Sequence, residues 1–201
     1  MLKGIIDRSK NVVYIFSGSV KSILDLFKDR SSPLYNIGKL RYLSKPSKEK
    51  MVEFIIRKFG ATGIKISRDL AAKIVEITDN IPYYTQLLCH EIWNTAQIAK
   101  KRKIDLEDIN TSLEKIINNN KPYYEDLLSS LPTSQRKALK ILIFEKTTYS
   151  TQVLQKYRIG QSTLQKAINS LIEKRIIWRQ NNKYEFLDPI FKKYLMSIWR
   201  K

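Results

Sequence analysis

Between residues 134 and 186 five stretches follow one another in an order that few folds accommodate. Residues 135–145 place Ala138, Leu139, Leu142 and Ile143 on one helical face, with Ser134 as the expected cap. A shorter helical stretch at 150–157 carries Val153 and Leu154. Arg158-Ile159-Gly160 reads as a tight turn, after which residues 161–174 turn Leu164, Ala167, Ile168, Leu171 and Ile172 inward. Two strand-like runs, Ile176-Ile177-Trp178-Arg179 and Lys183-Tyr184-Glu185-Phe186, close the series around the polar turn Gln180-Asn181-Asn182. Three helices with a tight turn before the third, followed by a hairpin, predict a winged helix-turn-helix.

That prediction assigns work to the third helix. Its outward positions are Gln161, Ser162, Thr163, Gln165, Lys166 and Asn169, side chains that can reach base edges or phosphates. Arg175, Arg179 and Lys183 put cations at the helix end and on the wing, where backbone phosphates would lie. The same face could equally be solvated, or pack against a protein partner, because winged helices do both. Charge leans toward a polyanion without deciding the matter. The chain carries 37 basic and 19 acidic residues, a formal +18, and half of that excess falls in residues 122–201. A lysine-rich surface kept for solubility gives the same sum.

Upstream, the strongest local signal is Asp79-Asn80-Ile81-Pro82-Tyr83-Tyr84. Proline is tolerated in the first turn of a helix, where its missing N–H has no partner to lose. Tyr84, Leu87, Leu88, Ile92 and Trp93 then follow at helical spacing, so a helix is expected from Pro82 to about Lys100. The run Lys100-Lys101-Arg102-Lys103 complements that helix's C-terminal dipole. Ser47 and Ser67 cap two earlier helices, over 49–59 and 69–78. Asp105 with Asp108 forms a capping arrangement for another helix to about Asn118. Asn118-Asn119-Asn120-Lys121-Pro122 reads as a linker.

The first 46 residues differ in character. Residues 11–16 (Asn-Val-Val-Tyr-Ile-Phe) are apolar without alternation, which suits a strand covered on both faces. A helix with Ile23, Leu24, Leu26 and Phe27 on one face follows, then an alternating run over 39–43 that suits a more exposed strand. This is a strand–helix–strand unit with too few strands for a sheet of its own.

Several functions find no support. One cysteine and one histidine, adjacent at Cys89 and His90, make neither a disulfide nor a zinc site by themselves, and both read as packing residues on a mainly apolar helix. A lone cysteine suits a reducing, cytoplasmic setting. No apolar run is long enough to cross a membrane, and the N-terminus lacks the apolar centre of a signal peptide. The glycine-rich loop ending in Lys-Ser/Thr that cradles phosphates is absent. So are paired acids at the end of a buried strand. Asp105, Glu107 and Asp108 open a helix instead, and no Ser–His–Asp or Cys–His arrangement assembles.

The order of these pieces resembles the C-terminal part of archaeal and bacterial AAA-superfamily ATPases of the signal-transducing (STAND-like) P-loop kind. Val13-Tyr14-Ile15-Phe16-Ser17-Gly18-Ser19, then Leu26-Phe27 and Ser32-Pro33-Leu34-Tyr35, then Ile81-Pro82-Tyr83-Tyr84-Thr85-Gln86-Leu87 with Trp93 carry the resemblance. Phe186-Leu187-Asp188-Pro189-Ile190-Phe191 is similar to the way that family ends its winged helix. The resemblance implies that Ser19 faces the γ-phosphate of ATP from a sensor position, and that Pro82, Tyr83 and Tyr84 lie beside the nucleotide on a helical lid. Two departures stand out. The phosphate loop and magnesium-binding acids of the family are missing, and Asn36 stands where relatives often carry an arginine; Arg30 and Arg41 are near but off that position.

The expected fold is therefore mixed and mainly α. Residues 1–46 would be a remnant α/β strand–helix–strand unit, 47–121 a helical lid bundle and 122–201 the winged helix-turn-helix. No cofactor is expected on this chain alone, while ATP and magnesium are implied for the complete family protein. The expected partners are double-stranded DNA or a protein at the winged helix, and an ATPase half carrying the phosphate loop. A standalone winged-helix DNA-binding regulator is the alternative, as is a truncated product without activity of its own.

Overall fold

The computed structural model describes residues 2–18, 26–39, 41, 43–180 and 183–200. The chain divides into two compact units, Met1–Ser44 and Lys45–Lys201.

In the first unit α1 spans Leu2–Arg8, a helix that the apolar spacing had not marked. Residues 12–18 follow without regular structure. The strand expected at 11–16 is not formed: Val13 and Ile15 are 87% and 89% exposed, and no partner strand pairs with them among the described residues. An extended segment becomes a strand only by filling its backbone hydrogen bonds on a neighbour. Residues 39, 41 and 43 are likewise irregular, and Leu43 is 96% exposed, so the second expected strand is absent from the described residues too. Residues 26–28 are helical, while Ile23 and Leu24, placed on the same helix by their spacing, lie outside the described residues. Turns pack the segment that follows. The Asn36 N–H donates to the Phe27 carbonyl and the Ser32 hydroxyl to that of Leu26, burying Phe27 and Leu34.

The second unit opens with four helices whose starts are written locally. Ser47 caps α2 (Lys48–Gly60) and Ser67 caps α3 (Arg68–Ile77), each accepting from an N–H of the first turn. Pro82 opens α4 (Pro82–Ile98), with no side-chain cap. Asp105 and Asp108 close a reciprocal capping box at the start of α5 (Leu106–Ser129). The basic run after α4 plays a different part from the one expected. Lys100 takes a left-handed turn (φ 53°), and Lys101 reaches Asp105 at 3.1 Å and Asp108 at 2.6 Å. It completes the next helix's cap.

The linker expected at 118–122 is a correction. α5 runs through it as one helix of 24 residues with Pro122 inside. Local propensity is overridden because both flanks of Pro122 are packed: Ile109, Ser112 and Ile116 are buried upstream and Tyr124 downstream.

The winged helix follows as α6 (Thr133–Phe144), α7 (Thr151–Lys156), α8 (Gln161–Glu173), β1 (Ile177–Gln180) and β2 (Lys183–Phe186). α9 (Pro189–Trp199) completes it, with Asp188 accepting from the Ile190 and Phe191 N–H groups. Ser134 does not cap α6. Pro132 occupies the cap position with no side-chain bond, and its carbonyl receives the Gln135 and Arg136 N–H groups. The wing is antiparallel, with Ile177 opposite Phe186 and Arg179 opposite Tyr184. Leu139, Ile141, Leu164, Ile168 and Phe191 are all at most 2% exposed and form its centre.

Candidate functional site

α8 is held by one face and presents the other. Leu164, Ala167, Ile168 and Leu171 are buried, and Gln161, Ser162, Thr163, Gln165, Lys166 and Asn169 are all exposed. The turn that aims the helix relies on Arg158 at φ 46°, whose carbonyl accepts from Lys137 Nζ at 3.0 Å, and on Ile159 as a buried plug. Gly160 occupies the N-cap with no side chain to bond the first-turn N–H groups.

Two of the six outward residues belong to a network. The Tyr149 hydroxyl donates to Gln165 Oε1 at 2.7 Å, and Gln165 Nε2 donates to Asn169 Oδ1 at 2.9 Å. Tyr149 also meets the Tyr184 hydroxyl at 3.5 Å, and the Arg179 guanidinium lies over the Tyr184 ring at 5.8 Å. Burial first, then the bond to Tyr184, raises the Tyr149 hydroxyl above the ordinary phenol value. Gln165 and Asn169 are thereby oriented, while Gln161, Ser162, Thr163 and Lys166 remain the adaptable side chains. Tyr149 and Tyr184 were not among the expected site residues. The sequence offered no spacing signal that would join them to Gln165.

Arg179 and Lys183 sit on the paired wing strands, as expected. Arg175 follows the end of α8, as expected, at φ 55°, and lines a cavity of about 210 Å³ together with Tyr84, Tyr123, Tyr124, Lys174 and Asp188.

That cavity brings the Pro82-Tyr83-Tyr84 corner into view. Asp79 and Asn80 hold two successive left-handed residues (φ 49° and 55°) before Pro82, and Asn80 Nδ2 donates to the Pro46 carbonyl at 2.6 Å. Tyr83 is 68% exposed and meets the edge of the Tyr84 ring. Tyr84 is half-buried and directed at Asp188. Desolvation first, then the Asp188 charge, raises its hydroxyl well above the phenol range. Tyr124 donates to the same carboxylate at 3.0 Å. The cavity lining is of mixed charge, with the Asp188 carboxylate and the Tyr84 and Tyr124 phenols beside Lys174 and Arg175. Ser19, the expected sensor, lies outside the described residues.

A second cavity, of about 520 Å³, runs between α2 and α4 and is lined by Phe54, Phe59, Cys89, His90 and Trp93. Burial pushes the Cys89 thiol up to about 12, which makes it an inert packing group at neutral pH. His90 is exposed and stacks on Trp93 at 6.2 Å, so it is a surface residue, where packing was expected. No cluster of three His, Cys, Asp or Glu side chains suited to a metal occurs among the described residues. None of the described helices is long and apolar enough to cross a membrane.

Residues 122–197 match a family described as a probable winged helix domain. The Walker-type ATPase PABY2304 of Pyrococcus abyssi superposes with a TM-score of 0.58 at 20% identity, over 86% of this chain and 49% of that one. The Holliday junction branch migration motor RuvB of Thermotoga maritima reaches a TM-score of 0.37 at 15% identity, over 76% of this chain and 50% of that one, too distant to inform the fold. The chain thus spans about half the length of the solved structures it matches. No curated protein matches it. The chain carries a winged-helix domain at residues 122–197, within a fold shared with about half of a Walker-type ATPase.

Proposed function

We propose that this chain is the C-terminal part of a STAND-like ATPase of the AAA superfamily, and that its winged helix contacts double-stranded DNA. The observation that carries the DNA reading is the outer face of α8, six exposed polar side chains with Arg179 and Lys183 on the adjoining wing. The formal charge of +18 adds a sequence-independent attraction. In the complete protein ATP and magnesium would be held by a half that supplies the phosphate loop and its acids. This chain alone does not hydrolyse ATP. Turnover that tracks the purified protein and vanishes on Ser19→Ala would overturn that statement.

Duplex binding is measured by fluorescence anisotropy across a salt series. Wild type binds with strong salt dependence. Lys166→Glu with Arg179→Glu weakens binding and lowers the salt slope by about 2, roughly one per lost phosphate contact. Unchanged affinity in the double variant rejects the groove reading.

A further inference from the structure

A chain of polar contacts crosses from the wing to the outer face of α8. On β2 the Tyr184 hydroxyl meets that of Tyr149 at 3.5 Å. Tyr149 donates to Gln165 Oε1 at 2.7 Å, and Gln165 Nε2 donates to Asn169 Oδ1 at 2.9 Å. Both tyrosines are half-buried, whereas Gln165 and Asn169 are exposed, one turn apart on the same face. An exposed amide left to itself samples several rotamers, and fixing it on contact with a partner costs entropy. Here Tyr149 fixes Gln165, and Gln165 fixes Asn169 before any partner arrives.

Asn169 stands at the end of this chain with most of its bonding capacity unspent. A side-chain amide has two N–H donors and two lone pairs on its oxygen. Asn169 spends one lone pair on Gln165 and keeps the other, together with both N–H groups, without a further partner among the described residues. Exchanging oxygen and nitrogen in both amides reverses the donors along the chain and still leaves Asn169 an acceptor and a donor. One donor beside one acceptor matches the major-groove edge of adenine, which presents N7 as acceptor and the N6 amino group as donor. Guanine presents two acceptors there, and cytosine only a donor.

We propose that Asn169 reads an adenine in the major groove, and that Tyr149 and Gln165 are positioning residues that hold its amide for that base. This rests on the reading that α8 contacts duplex DNA, and it adds what that contact selects: a site with an A·T pair at one fixed position. Phosphate contacts from the wing then set the register, and the oriented amide supplies the sequence preference.

The test incubates the full chain with duplexes randomised at their centre, sequences the retained fraction and measures single duplexes by anisotropy across a salt series. Wild type prefers adenine at one position by about tenfold. Asn169→Ala abolishes that preference, and Asn169→Asp moves it to cytosine, whose N4 amino group suits a carboxylate. Tyr149→Phe keeps the ring and lowers the preference about threefold. Its salt slope stays that of wild type, because the slope counts phosphate contacts. Duplex binding without any preferred base, or an adenine preference that survives Asn169→Ala, overturns the proposal and leaves the groove reading standing. An unchanged preference in Tyr149→Phe overturns the positioning role, and so does a fall in its salt slope. Failure of wild type to bind the pool rejects the groove reading itself, and the proposal with it.

Discussion

Residues 12–16 and the wing at 177–186 are both rich in β-branched and aromatic side chains, yet only the second forms strands. The wing supplies its own partner within a few residues. Ile177 and Phe186 face each other and are 1% and 3% exposed against α8 and α9. Val12, Val13 and Ile15 are 56%, 87% and 89% exposed. A run that is apolar on both faces needs two covering layers and two neighbours, and the described residues of the first unit offer neither. Strand propensity reports fitness for a pleated surface; it does not create one.

The largest effect that separates the two regions comes from the core beneath α9. Phe191 is 2% exposed and packed by Tyr124 and Tyr194. Phe191→Ala is expected to cost about 3–5 kcal/mol of unfolding free energy, from lost burial and the cavity left behind. Urea unfolding followed by tryptophan fluorescence measures it. A loss below about 1 kcal/mol would mean that the second unit is no better packed there than the first.

The contrast also explains what could be read in advance. Helix starts at Ser47, Ser67 and Asp105 were legible because a cap is a bond between near neighbours. The winged-helix order was legible because each inward face recurs at helical spacing. α9 was missed although its signal was present: Asp188, then Pro189, then Ile190, Phe191, Tyr194 and Leu195 on one face. The continuity of α5 through Pro122 had no local sign, since it rests on Tyr124 meeting α9. The candidate site divided the same way. The outer face of α8 followed from periodicity, whereas the turning of Tyr84 and Arg175 toward one cavity depends on segments far apart in sequence.

A middle-sized effect probes the caps that hold the second unit. The Asp105 carboxyl is held below the usual carboxylate range, first by the Asp108 N–H and then by Lys101. A group depressed by folding stabilises above its unfolded value and loses that contribution as pH falls through its folded value. Lys101 is shifted upward by its bonds to Asp108 and then Asp105, so its share is complete below the ordinary lysine value and lost as pH rises through the folded one. Thermal stability should therefore fall below about pH 4 and again above about pH 10.5. Asp105→Asn keeps a capping oxygen and flattens the acid arm. An acid arm of unchanged steepness would assign the loss to other carboxylates.

The smallest effect is the sharpest test of the first region. All three tryptophans, Trp93, Trp178 and Trp199, lie in the second unit, so their fluorescence follows that unit. Val13→Asp with Ile15→Asp should leave its unfolding midpoint within about 0.5 kcal/mol of wild type, because neither side chain is buried. The same change removes two exposed apolar groups, so concentration-dependent self-association by light scattering should decrease. A midpoint loss approaching that of Phe191→Ala would show that residues 12–16 are packed in solution, and the distinction drawn between the two runs would fall.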